Sequence, residues 1–192
     1  FYIVSNVSKD YELKTTKKIV SFLESHNMDC KVNSMPSTQK NVNMRYTNPE
    51  DVDKDTDCII VIGGDGTLIQ AARDLRTLDI PLIGVNMGHL GFLAEIEQDN
   101  LEETLEMITN NKCKIESRIM LSGSVYRDGK VVYKDISLND IVFGRAGNLR
   151  VIDFKIYVNN EYLNLYSADG VIIATADHTH AIITADAMTM GK

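Results

Sequence analysis

The stretch Cys58-Ile59-Ile60-Val61-Ile62-Gly63-Gly64-Asp65-Gly66-Thr67 determines how this chain folds. Its first half is a continuous apolar run, mostly β-branched, which is typical of a strand buried on both faces of a parallel sheet. The second half is a glycine-rich turn, after which apolar residues recur with helical spacing at Leu68, Ile69, Ala71, Ala72 and Leu75. Another apolar run at 80–85 predicts the next strand. This order places the turn at the carboxyl end of a parallel strand, where open α/β sheets bind their ligands.

The segments on either side extend the same α/β pattern. Residues 1–4 predict a strand, and an amphipathic helix follows with apolar positions at Tyr11, Ile19, Val20, Phe22 and Leu23. A weak apolar run lies at 30–32, and the polar residues 34–56 predict a surface connection. Residues 101–108 return to the helical period. We therefore expect an α/β domain with a mainly parallel sheet over residues 1–112.

A different pattern begins after Cys113. Apolar and polar residues alternate there, and the pairs Asp128-Gly129 and Asn159-Asn160 are typical hairpin turns. The change of period predicts a second, all-β domain over residues 113–192.

Composition limits the classes of function. The chain has 192 residues, a formal net charge of −7 and a pI near 5.1, and no basic patch that would favour a nucleic-acid partner. A polyphosphorylated ligand would need backbone amides, local side chains or a divalent cation, so we expect Mg²⁺. No segment approaches the ~20 apolar residues of a membrane span, which predicts no membrane contact and a cytoplasmic location. Cys30, Cys58 and Cys113 are far apart in sequence, and we expect buried thiols.

The glycine-rich turn has the residues that phosphoryl transfer requires. Gly63, Gly64 and Gly66 would let backbone N–H groups approach a phosphate without obstruction by a Cβ atom. Asp65 could orient or deprotonate an attacking hydroxyl, or lie near Mg²⁺ bound to the donor phosphates. The string matches neither the lysine-containing P-loop nor the Gly-x-Gly-x-x-Gly fingerprint. A tight turn without any ligand is the alternative.

Two motifs carry a resemblance to a known family. Gly63-Gly64-Asp65-Gly66-Thr67-Leu68 resembles the signature shared by NAD kinases, diacylglycerol and sphingosine kinases and, less closely, 6-phosphofructokinases. Gly84-Val85-Asn86-Met87-Gly88-His89-Leu90-Gly91-Phe92-Leu93 closely resembles a segment of NAD kinases that the other kinases lack. The chain is thus similar to the NAD kinase family.

Shorter segments add to the resemblance. Leu138-Asn139-Asp140-Ile141 is similar to the family's pair of Asn with Glu or Asp, and Ser167-Ala168-Asp169-Gly170 is similar to another family segment. Arg150 occupies a position that approaches ligand in relatives. The resemblance implies that the nucleotides contact Gly63, Gly64, Gly66, Thr67, Asn86, Gly88, Phe92, Asn139, Asp140, Arg150, Ser167 and Asp169.

The resemblance also implies an activity. A Rossmann-like nucleotide-binding domain would bring ATP, with Mg²⁺, to NAD, and Asp65 would be the catalytic residue as the γ-phosphoryl passes to the adenosine 2′-hydroxyl to give NADP. The family usually forms dimers or tetramers, so a homo-oligomer is expected. Two alternatives stay open: a lipid or sugar kinase with the same turn, and a non-catalytic dinucleotide-binding module.

The resemblance stops after residue 174. The family continues with Thr-Pro-Thr-Gly-Ser-Thr-Ala-Tyr, whereas this chain has Thr175-Ala176-Asp177-His178-Thr179-His180-Ala181-Ile182. We therefore expect the all-β domain to be incomplete. His178 and His180 lack a third ligand at a suitable spacing, so no metal site is expected there.

Overall fold

Residues 1–35, 47–88, 93–94, 96–147 and 151–174 are described by the computed structural model of the chain. The chain divides into two compact units, Phe1–Ser117 and Arg118–Lys192. Each unit has its own type of sheet.

The first unit contains a four-stranded sheet, whose strands are β1 (Tyr2–Asn6), β2 (Lys31–Met35), β3 (Ile59–Gly63) and β4 (Leu82–Asn86). The strands lie in the order β2-β1-β3-β4, and every neighbouring pair is parallel. The predicted α/β class with a parallel sheet is confirmed. The weak apolar run near residue 30 forms β2 at an edge of the sheet, where a strand needs less apolar surface.

Among the described residues, three helices connect and flank these strands: α1 (Lys14–Ser25), α2 (Asp65–Asp74) and α3 (Leu101–Thr109). Short 3-10 turns lie at Tyr11–Leu13, Pro49–Asp51 and Gln98–Asn100. The prediction that the first helix includes Tyr11 is wrong, because Glu12 and Leu13 have φ angles of 53° and 55° and break the helical path. Tyr11 is 72% exposed as a result.

The core has two layers, one on each face of the parallel sheet. On one face, Tyr2, Val4, Ile59 and Val61 pack against Leu68 and Ala71 of α2 and against Leu75, which directly follows this helix. On the other face, Ile3, Ile60, Ile62 and Val85 pack with Ile19 and Leu23 of α1 and with Leu101 and Leu105 of α3. Because alternate residues of each central strand face opposite layers, the whole apolar run from Ile59 to Ile62 is buried.

The second unit is built from antiparallel pairs. Its strands are β5 (Leu121–Arg127), β6 (Lys130–Ser137), β7 (Asp140–Gly144), β8 (Ile152–Val158), β9 (Glu161–Ala168) and β10 (Gly170–Ala174). The pairs are β5 with β6, β8 with β9, and β7 with β10. Both predicted hairpin turns are confirmed, since Asp128-Gly129 and Asn159-Asn160 have the positive φ angles of tight two-residue turns.

Several expectations about burial need correction. Cys58 is buried, and burial raises the pKa of its thiol to about 11, but Cys30 is half-buried and Cys113 is exposed. Within the polar segment 34–56, Thr47 and Val52 are buried, so this segment is not wholly a surface connection. Residues 36–46 of it lie outside the described residues. Across the described ranges, no helix is both long enough and apolar enough to cross a membrane.

Candidate functional site

The strand order creates a crevice at the carboxyl ends of β1 and β3. The chain leaves β1 toward β2 on one side and leaves β3 toward β4 on the other, so the two connections diverge at this point. Such a reversal is where open α/β sheets bind ligands. Asn6 ends β1 and Gly63 ends β3, and the Asn6 Nδ2 atom donates a hydrogen bond to Thr67 Oγ1 over 3.1 Å. The two connections are thereby joined at the crevice.

Asp65 lies at this crevice as the first residue of α2. Its Oδ1 atom accepts hydrogen bonds from the backbone N–H groups of Leu93, at 3.2 Å, and Ala94, at 3.1 Å. Both donors belong to the segment that follows β4. The two bonds fix the orientation of a carboxylate that could accept a proton from a substrate hydroxyl.

The three glycines of the turn matter because they lack a side chain, and not because they adopt an unusual backbone conformation. None of them has a positive φ angle, and Gly64, the N-cap of α2, is extended with φ −141° and ψ −173°. A Cβ atom on Gly63 would lie 2.6 Å from the Thr67 Cβ, and one on Gly64 would lie 2.6 Å from the Lys9 Nζ. A Cβ atom on Gly66 would meet nothing within 4 Å, so open space adjoins the first turn of α2.

Asn86 ends β4 beside Gly63, with which it is in register. It is only 5% exposed, and its Oδ1 atom accepts a hydrogen bond from the Gly88 N–H over 3.1 Å. The Met87 N–H donates to the Gly63 carbonyl over 2.7 Å. Asn86 and Gly88 thus lie next to the glycine-rich turn, and the Asn86 side chain supports the loop that leaves β4.

The connection after β1 contributes residues that the sequence analysis missed. The backbone N–H groups of Lys9 and Asp10 both donate to the Asn6 carbonyl at 2.9 Å, forming a tight turn. The Asp10 carboxylate is fully buried and accepts hydrogen bonds from the backbone N–H groups of Thr15 and Thr16 at the start of α1. The Thr16 hydroxyl donates to it as well, over 2.6 Å.

The hydrogen bonds to Asp10 determine its ionisation. Burial would raise the pKa of this carboxyl, but the hydrogen bonds from Thr16, Thr15 and Ser5 outweigh burial and hold the pKa below its ordinary value. An Asp a few residues before an amphipathic segment is a helix-cap signal that the sequence offered. The position of Lys9 gave no comparable signal.

The described residues of the site offer few ligands of their own to a magnesium ion. In the described ranges, no group of three or more His, Cys, Asp and Glu side chains could hold a metal ion. The glycine-rich turn offers the single carboxylate of Asp65, whose Oδ1 already accepts two amide hydrogen bonds. Mg²⁺ retains several waters and is commonly bound by one or two carboxylates together with substrate phosphates.

The second unit places the other predicted residues at two separate positions. Asn139 and Asp140 lie at the start of β7, where Asn139 Nδ2 donates to Asp140 Oδ2 over 2.8 Å. Asp169 lies at the opposite end of the β7–β10 pair, because Asp140 is in register with Ala174 and Gly144 with Gly170. The four residue steps from Asp140 to Gly144 correspond to roughly 14 Å along the strand.

Asp169 has a partner that the sequence analysis did not identify. Arg145 Nε lies 3.2 Å from Asp169 Oδ1, and the Arg145 backbone N–H donates to the Asp169 carbonyl over 3.0 Å. The adjacent Gly170 cannot carry a side chain, since its Cβ would lie 2.9 Å from the Gly144 Cα and closer still to the Phe143 carbonyl oxygen. The Ser167 hydroxyl donates to the Asp153 carboxylate across the β8–β9 pair.

The predicted residues therefore fall into two groups. The first, at the carboxyl edge of the parallel sheet, comprises Gly63, Gly64, Asp65, Gly66, Thr67, Asn86 and Gly88. The second, within the antiparallel unit, comprises Asn139, Asp140, Ser167 and Asp169. Phe92, Arg150, His178 and His180 lie outside the described residues.

Comparisons with known proteins all point to one family. Residues 2–113 match the family model of the ATP-NAD kinase N-terminal domain. The chain is 48% identical over 176 residues to the NAD kinase of Lachnospira eligens, covering 92% of this chain and 60% of that protein. It is 41% identical over 175 residues to the NAD kinase of Agathobacter rectalis, covering 91% of this chain and 60% of that protein. The chain thus spans about 60% of the length of these curated relatives.

Solved structures share the fold. An NAD kinase from Archaeoglobus fulgidus in complex with ATP superposes with a TM-score of 0.67 at 20% identity, over 91% of this chain and 60% of that chain. Yeast NADH kinase complexed with NADH superposes with a TM-score of 0.68 at 20% identity, over 95% of this chain and 59% of that chain.

Proposed function

Since this chain belongs to the NAD kinase family, we propose that the protein transfers the γ-phosphoryl group of ATP to the adenosine 2′-hydroxyl of NAD and so produces NADP. The observation that carries the proposal is the position of Asp65. Its carboxylate lies at the carboxyl end of β3, beside the crevice of the sheet, and two backbone amides orient it.

In the proposed reaction, the adenosine 2′-oxygen forms a bond to the γ-phosphorus of ATP, and the bond from that phosphorus to the bridging oxygen of ADP breaks. The proton of the hydroxyl passes to Asp65. A ribose hydroxyl is too weak an acid to ionise beforehand, so the proton moves late, as the new bond to phosphorus forms. The two amides that hold Oδ1 keep the carboxylate in place during this transfer.

The donor phosphates are proposed to lie against the first turn of α2. Gly64, the N-cap of α2, has no side chain that could cap this turn, and the position of Gly66 adjoins open space among the described residues. The N-terminal turn of a helix presents N–H groups and a positive dipole end, both of which favour a phosphate. Mg²⁺ bound to these phosphates would neutralise part of their charge.

The dinucleotide is proposed to contact the antiparallel unit as well. Asn139 and Asp140 offer an amide and a carboxylate to an adenine edge and to ribose hydroxyls, and Asp169 offers a second carboxylate. Asn86, Phe92, Arg150 and Ser167 remain proposed contacts by resemblance. An extended dinucleotide suits the second unit because Asp140 and Asp169 lie at opposite ends of the β7–β10 pair.

The test is a phosphotransfer assay on the intact protein. We expect NADP to form from ATP and NAD in the presence of Mg²⁺, as measured with a dehydrogenase that accepts NADP alone. Parallel reactions with NADH, a diacylglycerol and a hexose phosphate identify the acceptor, and inorganic polyphosphate in place of ATP tests the donor. ATP consumption with a lipid or a sugar but not with NAD would contradict the proposal. Calorimetric NAD binding without NADP formation would indicate a non-catalytic module.

A further inference from the structure

We infer that Lys9 binds phosphate oxygens of the nucleotide at the glycine-rich turn. The inference rests on the proposed function and assigns a residue that lies in a different connection from the turn itself. It names a cationic contact for a site whose glycines and Asp65 supply no positive side chain.

The position of the Lys9 ammonium is the main observation. Its Nζ atom lies 2.6 Å from the point that a Cβ atom on Gly64 would occupy. The ammonium therefore fills the space that the missing side chain leaves open. Gly64 is the N-cap of α2 and immediately precedes Asp65, so this charge lies at the turn where the phosphates are proposed to bind.

The backbone that carries Lys9 is held by hydrogen bonds on both sides. The Lys9 N–H donates to the Asn6 carbonyl over 2.9 Å, and the Asn6 side chain donates to Thr67 in the first turn of α2. On the other side, the buried carboxylate of Asp10 is fixed by the start of α1. The loop is thus fastened to both connections, which reduces the entropy that a phosphate contact would cost.

The positive charge of Lys9 is not neutralised by an ion pair among the described residues. No carboxylate in the described part of the chain forms an ion pair with its ammonium, and its side chain is exposed. The chain as a whole carries a net charge of −7, which disfavours the approach of a polyphosphate anion. A local ammonium with three donors offsets this repulsion where the anion binds.

Two ligands could supply the phosphate oxygens: the triphosphate of ATP and the pyrophosphate of NAD. Both present the same chemistry to an ammonium. Steady-state kinetics distinguishes them, because the KM for each substrate is measured with the other at saturation.

The experiment compares Lys9→Ala and Lys9→Arg in the intact protein with Lys17→Ala, which removes an exposed lysine of α1 outside the turn. We expect Lys9→Ala to raise one KM by about tenfold or more, as the loss of a hydrogen bond to a charged group does. Lys9→Arg should recover most of the affinity, and Lys17→Ala should match the unsubstituted protein. A higher KM for ATP assigns the triphosphate, and a higher KM for NAD assigns the pyrophosphate.

A calorimetric titration with Mg-ATP, and a separate one with NAD, gives a readout that does not depend on turnover. Weaker binding of either nucleotide to Lys9→Ala supports the inference. Unchanged KM values and unchanged binding in that variant would overturn it. Failure of the unsubstituted protein to make NADP would instead overturn the proposed function, so the two failures are distinguishable.

Discussion

Asp65 and Ala94 are joined by a hydrogen bond of 3.1 Å, in which the Ala94 backbone N–H donates to the Asp65 carboxylate across 29 positions of sequence. The bond ties the start of α2 to the segment that follows β4. Asp65 therefore has two separable properties: it accepts hydrogen bonds from the backbone, and it is a carboxylate that can take up a proton. Substitutions can remove the second property while keeping the first.

Asp65→Asn should abolish most turnover without unfolding the chain. The amide oxygen of Asn can still accept from the Leu93 and Ala94 N–H groups, but it cannot accept the proton of the substrate hydroxyl. We expect kcat to fall by about 10² to 10⁴-fold. The midpoint of urea unfolding should stay close to that of the unsubstituted protein, and NAD should still bind.

Asp65→Ala is the matched comparison. It leaves both backbone donors without their acceptor, so we expect a further loss of about 1–3 kcal/mol in the free energy of unfolding. Turnover of Asp65→Asn equal to that of the unsubstituted protein would refute the role of Asp65 in proton transfer.

The glycines of the turn should respond differently to the same substitution. Gly66→Ala places a methyl group where nothing lies within 4 Å, so stability should stay the same or rise by up to about 1 kcal/mol. If phosphates approach this backbone, the KM for ATP should rise. Steady-state kinetics and urea unfolding on the same preparation separate the two effects.

Gly63→Ala provides the contrast to Gly66→Ala. Its methyl group would lie 2.6 Å from the Thr67 Cβ, which forces the first turn of α2 to shift. We expect a loss of about 1–3 kcal/mol in the free energy of unfolding. Equal free energies of unfolding for Gly63→Ala and Gly66→Ala would show that the packing around Gly63 can accommodate a methyl group.

Asp10→Asn should destabilise the protein in a pH-dependent manner. The hydrogen bonds hold the pKa of this carboxyl below its ordinary value in the folded state, so its contribution is present above the unfolded-state pKa of about 3.9. The contribution is lost as the pH falls through the lower folded-state pKa. We expect the variant to be about 1–3 kcal/mol less stable at pH 7.

Urea unfolding at pH 7, 5 and 3 checks this expectation. The difference in the free energy of unfolding between the unsubstituted protein and Asp10→Asn should be similar at pH 7 and 5 and should decrease at pH 3. A difference that does not change with pH would mean that the charge of Asp10 contributes nothing and that only the shape of its side chain matters.

Asp169→Asn should affect the dinucleotide more than the fold. The ion pair with Arg145 is partly exposed, with the Asp169 side chain 73% accessible, and exposed pairs contribute about 0–1 kcal/mol. We expect little change in unfolding but a higher KM for NAD. Arg145→Gln removes the same ion pair and leaves the carboxylate. If the two variants raise the KM for NAD equally, the ion pair is what matters and Asp169 has no separate contact.

The elements that depend only on neighbouring residues could be predicted from the sequence. The buried run from Ile59 to Ile62 has few alternatives to a central strand, and Asp128-Gly129 and Asn159-Asn160 favour the left-handed conformation that hairpin turns need. The glycine-rich turn was located correctly because it follows such a strand directly. These features require no knowledge of which distant residues come together.

One feature that the sequence did not predict is local, and the others depend on pairing between distant segments. The helix α1 starts after Glu12 and Leu13 because these two residues adopt the left-handed conformation. Neither residue is a glycine, so the sequence did not indicate this conformation. The position of the Lys9 ammonium beside Gly64 and the pairing of Arg145 with Asp169 bring together residues from separate connections. Only the strand order and register bring such residues together, and neither can be derived from one sequence.

The register of β7 with β10 also bears on the length of a ligand that would contact both Asp140 and Asp169. Asp140 begins β7, and Asp169 directly precedes Gly170, which pairs with Gly144 at the end of β7, so the two backbone positions are roughly 14 Å or more apart along the ribbon. A ligand that makes both proposed contacts must span this distance. Under the proposed function, the fixed register therefore favours a molecule made of two linked nucleotides over either half alone.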